Sequence, residues 1–316
     1  MASATSTAPA APPERSAGEV RAASIDTAFL QMLRRGPFRA RVHSVFERVV
    51  NIERERGELF TLACRGLDSA PNTVVVRLPG FGGSGIAEGD AVRGDAAAVQ
   101  VGEPVSVGLG DASPWECTLP AYPLKTIRLR ANLRWLQAQL DRLGAAGGMV
   151  APPPGGSGFR LAVADLLAQR SAQLSDALAH GDHAAARRHA SSLLGLGPGL
   201  TPSGDDFLVG LFAVLNISES PCCGWLGGGV EVLAGAERST HPISLAALTE
   251  AARGRVRESI AALIGHLVHG APVQLGLALR RVLAIGSTSG ADIVAGVRCG
   301  LELNISHEGR RPCQSR

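Results

Sequence analysis

Gly195-Leu196-Gly197-Pro198-Gly199-Leu200-Thr201-Pro202-Ser203-Gly204-Asp205-Asp206-Phe207-Leu208-Val209-Gly210 is the stretch around which the chain is organised. It reads as a glycine-rich loop that turns into a helix. Gly195, Gly197 and Gly199 permit backbone angles closed to other residues. Pro202 suits a first helical turn, where a missing N–H costs nothing. Ser203 and Asp206 have the spacing of a capping box, with aspartate in place of glutamate. Phe207, Leu208, Leu211, Phe212 and Leu215 recur at helical spacing and predict a buried face. Such a loop aims free N–H groups outward at the positive end of a helix, which favours an anion. A tight turn leading into a well-capped helix explains the same residues without a ligand.

A second copy follows. Ser289-Gly290-Ala291-Asp292-Ile293-Val294-Ala295-Gly296 repeats the pattern of Ser203 to Gly210. Both read Ser-Gly-x-Asp, two apolar residues, one small or apolar residue, then Gly. Both follow an apolar run ending in glycine, and Thr201 and Thr288 lie just upstream. Ser289 and Asp292 form a second candidate capping box. Two such helix starts suggest an internal duplication whose halves face one ligand. Two independent caps sharing ordinary cap chemistry remain the alternative.

The surrounding chain is globular in composition. Of 316 residues, 45% are hydrophobic and 19% charged, with a formal net charge of +3. No dense Lys/Arg block occurs and there is one tyrosine, which argues against a nucleic-acid surface. No apolar run approaches the roughly 18 residues of a membrane span. The Ala/Pro/Ser/Thr-rich start has no signal-peptide core. Six cysteines, with no Cys-x-x-Cys pair, read as reduced thiols in a cytoplasmic protein.

Patterning predicts an α+β chain. Residues 1–22 read as a disordered tail. Residues 23–143 form a β-rich domain that ends in a helix. Within it, Ala23 to Arg35 reads as a helix, and strands are predicted over 40–46, 49–52, 59–64, 72–78, 99–109 and 117–119. Gly80-Phe81-Gly82-Gly83-Ser84-Gly85 lacks a Walker lysine and a following helix, so a flexible turn is the better reading. Thr126 to Leu143 carries leucines at helical spacing. Residues 144–158 are a Pro/Gly linker. Residues 159–305 are helical and carry the proposed anion site, and 306–316 form a polar tail. Gly181 is a predicted C′ glycine and Asp182 a predicted N-cap.

Other constellations are weaker. The eight histidines lack the spacing of a zinc site. No Gly-x-Ser-x-Gly elbow surrounds Ser203. Asp205 and Asp206 could hold Mg²⁺ through a shared phosphate, although adjacent helical residues diverge. One of Arg238, Arg253 and Arg255 could fork onto a carboxylate, or all could lie on the surface.

The central motif resembles one bacterial family, of AllH type. The resemblance also rests on Thr288-Ser289-Gly290-Ala291-Asp292, Ile243-Ser244-Leu245-Ala246-Ala247-Leu248, Ala251-Ala252-Arg253-Gly254, and Val42-His43-Ser44-Val45-Phe46 followed by Asn51. Ser239-Thr240-His241-Pro242 departs from the threonine-rich form of that family. The resemblance implies a subunit of oxamate carbamoyltransferase in the degradation of allantoin-derived ureides. That enzyme interconverts oxalurate plus phosphate with oxamate plus carbamoyl phosphate, beside other subunits. Partners would then be small anions (carbamoyl phosphate, phosphate, an oxamate-like acid) and those subunits, with no nucleic acid, membrane or cofactor. Ser203, Asp206 and Asp292 are the candidate catalytic residues. Gly197, Gly199, Thr201, Ser203, Gly204, Asp205, Thr240, Ser244, Thr288, Ser289 and Gly290 are the candidate binding residues. The N–H groups of Ser203 and Gly204, or of Ser289 and Gly290, could hold an oxyanion. Two rivals stand beside this reading: an Mg²⁺-dependent acyl-phosphate or nucleotide-using ligase or kinase, and a non-catalytic anion-binding subunit.

Overall fold

The computed structural model describes residues 18–143, 148–149, 158–222, 225 and 227–308. Most of the expected tails and of the 144–158 linker lies outside the described residues.

The N-terminal part is a closed barrel. Its strands are β1 (Gly18–Asp26), β2 (Phe38–Val45), β3 (Val49–Glu53), β4 (Leu59–Cys64), β5 (Thr73–Val76), β6 (Ala91–Gly94), β7 (Ala98–Val101), β8 (Val105–Gly108) and β9 (Ser113–Trp115). They pair in the order β5-β4-β3-β2-β6-β7-β8-β1, and β1 also pairs β5, which closes the ring; β9 extends β1. Closure removes the open edges that would otherwise seek a partner strand. Alternation fills the interior: Val99, Val101, Val105 and Val107 all point inward and are buried. Helix α1 (Thr27–Arg35) packs on the barrel core, with the Phe29 ring centroid 4.4 Å from that of Phe60 and 5.4 Å from that of Phe38, the rings tilted.

Three expectations change here. Ala23 to Arg35 is not one helix: β1 runs from Gly18 through Asp26, so residues 18–22 belong to a strand and not to a tail. Ala22 and Ile25 pair with Val76 and Val74, and barrel closure outweighs the helical propensity of the alanines. Asp26 ends the strand and caps α1 through the Phe29 N–H. Residues 117–119 are not a strand; the pairing segment is Ser113–Trp115. The predicted 99–109 strand is two, β7 and β8, folded on each other around Gly102.

The rest is helical: α2 (Ile127–Leu143), α3 (Gly158–His180), α4 (His183–Leu193), α5 (Ser203–Leu215), α6 (Gly228–Val232), α7 (Pro242–Ala251), α8 (Glu258–His269), α9 (Pro272–Leu283) and α10 (Ser289–Ser306). Gly181 has φ +71, and Asp182 caps α4 through the Ala185 N–H, as predicted. Helix α2 packs away from the barrel. Leu129, Leu133, Leu136 and Leu140 join the helical core, and Asn132 Nδ2 donates to the carbonyls of His266, Leu267 and Gly270 at the end of α8. Core membership therefore changes before α2 and not at residues 144–158.

Helix α5 is buried along its whole length, as its continuous apolar sequence requires. It lies against α10, and the duplication becomes visible in three dimensions. A Cβ on Gly210 would collide with the Ile293 carbonyl, and one on Gly296 with the Phe207 carbonyl. Each glycine thus meets the residue equivalent to the one its counterpart meets. Likewise Gly204 packs on the Leu193 carbonyl and Gly290 on that of Val282. The contacts between α5 and α10 are therefore reciprocal, in an approximately two-fold arrangement.

Barrel and helices are joined by ion pairs. Asp26 is 2% exposed and accepts from Arg255 at 2.7 Å, while Arg255 also reaches Glu250 at 3.2 Å. Arg255 is thus the arginine that forks onto carboxylates. Arg253 pairs with Glu250, and Arg238 is exposed.

Gly210→Ala and Gly296→Ala should each cost about 2–3 kcal/mol or more in urea unfolding, because backbone stands where the methyl would go. Gly265→Ala in α8, with open space at its Cβ position, should be neutral or stabilising by up to ~1 kcal/mol. Equal effects at all three positions would contradict the close packing of α5 on α10.

Candidate functional site

The glycine loop is anchored by Asp205, which is completely buried. Its Oδ1 accepts the Gly195 N–H at 2.8 Å. Its Oδ2 accepts the hydroxyls of Ser244, at 2.7 Å, and Thr240. Gly195 in turn lies against the Ser239 carbonyl, where no side chain would fit. Asp205, Thr240 and Ser244 bind one another and tie the loop to the start of α7.

Asp206 and Asp292 are placed differently. Neither predicted capping box forms: α5 and α10 start without a side-chain cap bond. The aspartates reach across the helix pair instead. The Ser289 and Thr201 hydroxyls lie beside the Asp206 carboxyl, and the Ser203 hydroxyl beside that of Asp292, each close enough to lower its pKa. The Thr201 and Ser289 hydroxyl oxygens are 3.0 Å apart. Gly197 and Gly286 approach the backs of Ser203 and Ser289 closely enough that neither loop could carry a side chain there without displacement. Thr288 is half-buried at the start of α10, and Gly199 is exposed with open space at its Cβ position.

The N–H donors also need correction. Gly204 donates to the Leu196 carbonyl at 2.9 Å and Gly290 to that of Ile285 at 3.0 Å, so neither can serve an oxyanion. Among the described residues, the N–H groups of Ser203 and Ser289 have no acceptor. Helix geometry explains this: the first N–H of a helix is an orphan, while the second here closes the preceding turn.

Asp206 Oδ2 and Asp292 Oδ2 are buried and have no hydrogen-bond partner, as is true of six other side-chain atoms among the described residues. Buried polar atoms without a partner are uncommon and costly, and these two stand together at facing helix starts.

The profile of the oxamate carbamoyltransferase subunit AllH matches residues 193–301, which include both Ser-Gly-x-Asp starts. The AllH family N-terminal domain matches residues 21–114, the barrel. The chain belongs to the AllH family. No solved structure matches it.

Burial governs the protonation of the AllH site. It pushes the Asp206 carboxyl up to about 7, helped by the charges of Asp292 and Asp205 and opposed by the Ser289 and Thr201 hydroxyls. It pushes Asp292 up to about 6, against the pull of the Met149 N–H and the Ser203 hydroxyl. The two halves differ in what covers them. Gly148 and Met149 sit directly over Asp292, with the Met149 N–H on its Oδ1. Arg257, immediately before α8, lies within electrostatic reach of Asp206 and of Asp68 from the barrel. Burial lowers the Arg257 guanidinium below its usual value, and both carboxylates oppose this. Sequence patterning gave no sign of either wall. Arg257 sits in a helix-start position without periodicity, and Gly148–Met149 lies in a low-complexity stretch. No cluster of three or more metal-binding side chains occurs among the described residues, and no described helix is long and apolar enough to cross a membrane.

The folded state holds the Asp206 and Asp292 protons more tightly than the unfolded chain, whose aspartates titrate near 3.8. Their contribution to stability is complete below that value and is lost as pH rises through 6 to 7. Asp206→Asn keeps the site neutral. It should therefore be more stable than wild type at pH 8 by on the order of 1–3 kcal/mol, with the gap closing toward about pH 4. Thermal unfolding across this range measures it, and a gap independent of pH would contradict the assignment.

Proposed function

We propose that this chain carries reacting groups of a carbamoyltransferase that interconverts an oxalurate-like ureido acid plus phosphate with oxamate plus carbamoyl phosphate, in cytoplasmic ureide (allantoin) breakdown. The observation that carries the reading is the pair of buried, partnerless carboxylate oxygens of Asp206 and Asp292 at facing helix starts. A carboxylate aimed at phosphate repels it. A carbamoyl NH₂ offers two donors, and it is the fragment that moves in this reaction.

The remaining groups divide accordingly. The carboxylates receive the carbamoyl N–H bonds. The hydroxyls of Thr201, Ser203 and Ser289, with the N–H groups of Ser203 and Ser289, serve the carbamoyl oxygen and the phosphate at the positive helix ends. Arg257 offsets the negative charge that gathers there. In the forward direction a phosphate oxygen attacks the carbamoyl carbon, and the carbonyl becomes a tetrahedral oxyanion. The bond to the ureido nitrogen then breaks and oxamate leaves. Its nitrogen needs one proton, and hydrogen phosphate gives one up as it becomes the acyl phosphate, so the balance closes. Asp206, pushed up to about 7, is half-protonated near neutrality and suits the relay of that proton.

The family description names a subunit, so the test belongs in the assembled enzyme. Ser203→Ala, Ser289→Ala and Asp206→Asn should each lower kcat by about 10²-fold or more while the complex still assembles. Variants that assemble and turn over within twofold of wild type would assign this chain a non-catalytic, anion-binding role and overturn the proposal.

A further inference from the structure

A second polar cluster lies between barrel and helices, away from the Ser–Asp pair. On the barrel, β2, β3 and β4 align Ser44, Asn51 and Thr61 as cross-strand neighbours. Thr61 Oγ1 donates to Asn51 Oδ1 at 3.1 Å, and Asn51 Nδ2 donates to Ser44 Oγ at 3.0 Å. Ser44 Oγ stands 3.2 Å from His43 Nδ1. An irregularity in the β2–β3 register falls between Val42 and Ser44, at His43. Bulges of this kind re-aim a side chain. On the helical side, His241 caps α7, its Nδ1 accepting the Ile243 N–H at 3.2 Å. The two imidazoles meet edge to face, with centroids 6.1 Å apart and planes at 86°.

Asn51 accepts from Thr61 and donates to Ser44, which leaves the Ser44 hydroxyl proton available to His43 Nδ1. His43 Nδ1 is then an acceptor, and the neutral ring carries its proton on Nε2. His241 Nδ1 is an acceptor as well, so its proton is also on Nε2. Neither Nε2 has a partner among the described residues, and both rings are half-buried. The cluster is rigid at both ends. Asn51 is 5% exposed within the barrel wall, and Thr240, next to His241, is bonded to Asp205 beneath the glycine loop.

We propose that His43 and His241 together form an oxyanion subsite, in which two imidazole Nε2–H donors receive the oxygens of a carboxylate or a phosphoryl group. It does not depend on the reading of the Ser–Asp pair, because its donors lie on other elements and its readout is at the two rings.

The test uses the full-length chain with ¹⁵N-labelled histidine at pH 8, where an ordinary imidazole is neutral. Long-range ¹H–¹⁵N spectra give the tautomer of each ring, and oxamate and inorganic phosphate are titrated separately. Both rings should be Nε2–H tautomers and should shift together with at least one anion. A response to oxamate assigns carboxylate oxygens, and a response to phosphate assigns phosphoryl oxygens. His43→Ala and His241→Asn should raise the Kd of that anion about tenfold or more. Asparagine is a strong N-cap, so His241→Asn keeps the start of α7 while removing the Nε2 donor. An Nδ1–H tautomer at His43, rings that respond to neither anion, or folded variants with unchanged Kd would each overturn the proposal.

Discussion

Backbone contact between α5 and α10 is the constraint on which the site depends. Two helices ordinarily pack with their axes 8–10 Å apart, held off by side chains. Here Gly210 and Gly296 each leave no atom beyond Cα, and each receives a carbonyl of the other helix. Only this approach brings Asp206 within reach of Ser289 and Asp292 within reach of Ser203. A second set of glycines, Gly204 and Gly290, seats each helix start on the end of the preceding helix. The result is two positive helix ends and two carboxylates in one buried space. Each helix supplies a charge that the other must accommodate.

The two halves share a scaffold and differ in their walls. One wall is Gly148–Met149, which gives Asp292 a backbone donor. The other is Arg257, a cation at the junction with the barrel. Duplication alone would make two identical carboxyls. Burial raises both, Asp206 up to about 7 with the neighbouring charges of Asp292 and Asp205, and Asp292 up to about 6 against the Met149 N–H. Splitting two like groups in this way is a common route to separate acid and base roles. The barrel contributes to the same region through Asp68 near Arg257 and through the Asp26–Arg255 ion pair. It is therefore part of the site's construction and not an appended module.

The sequence made much of this legible. The order of a β-rich block and a helical block, most helix limits, and the repeat of Ser-Gly-x-Asp followed by glycine could all be read from patterning. What could not be read was the partner of each side chain. Ser203 and Asp206 have the spacing of a capping box, and local spacing carries no information about residues 89 and 83 positions away. The crossed arrangement replaces the local one because the glycines let the second helix approach. Asp205 and Asp206 are neighbours in sequence, yet one accepts from Gly195, Thr240 and Ser244 while the other keeps an oxygen without a partner. Their directions from the helix separate them, not their chemistry. The first strand was hidden for a related reason: its alanines, of high helical propensity, are held extended by pairing with β5, which is distant in sequence.

The most direct measurement of the central claim is a pair of double-mutant cycles on unfolding free energy at pH 8, where Asp206 is ionised. One cycle couples Asp206→Asn with Ser289→Ala across the helix pair, and the other couples Asp206→Asn with Ser203→Ala within α5. The crossed site predicts a coupling of about 1 kcal/mol or more for Asp206 with Ser289, and none beyond ~0.3–0.5 kcal/mol for Asp206 with Ser203. The reverse result would mean that each aspartate serves its own helix start, which would contradict a site shared between α5 and α10.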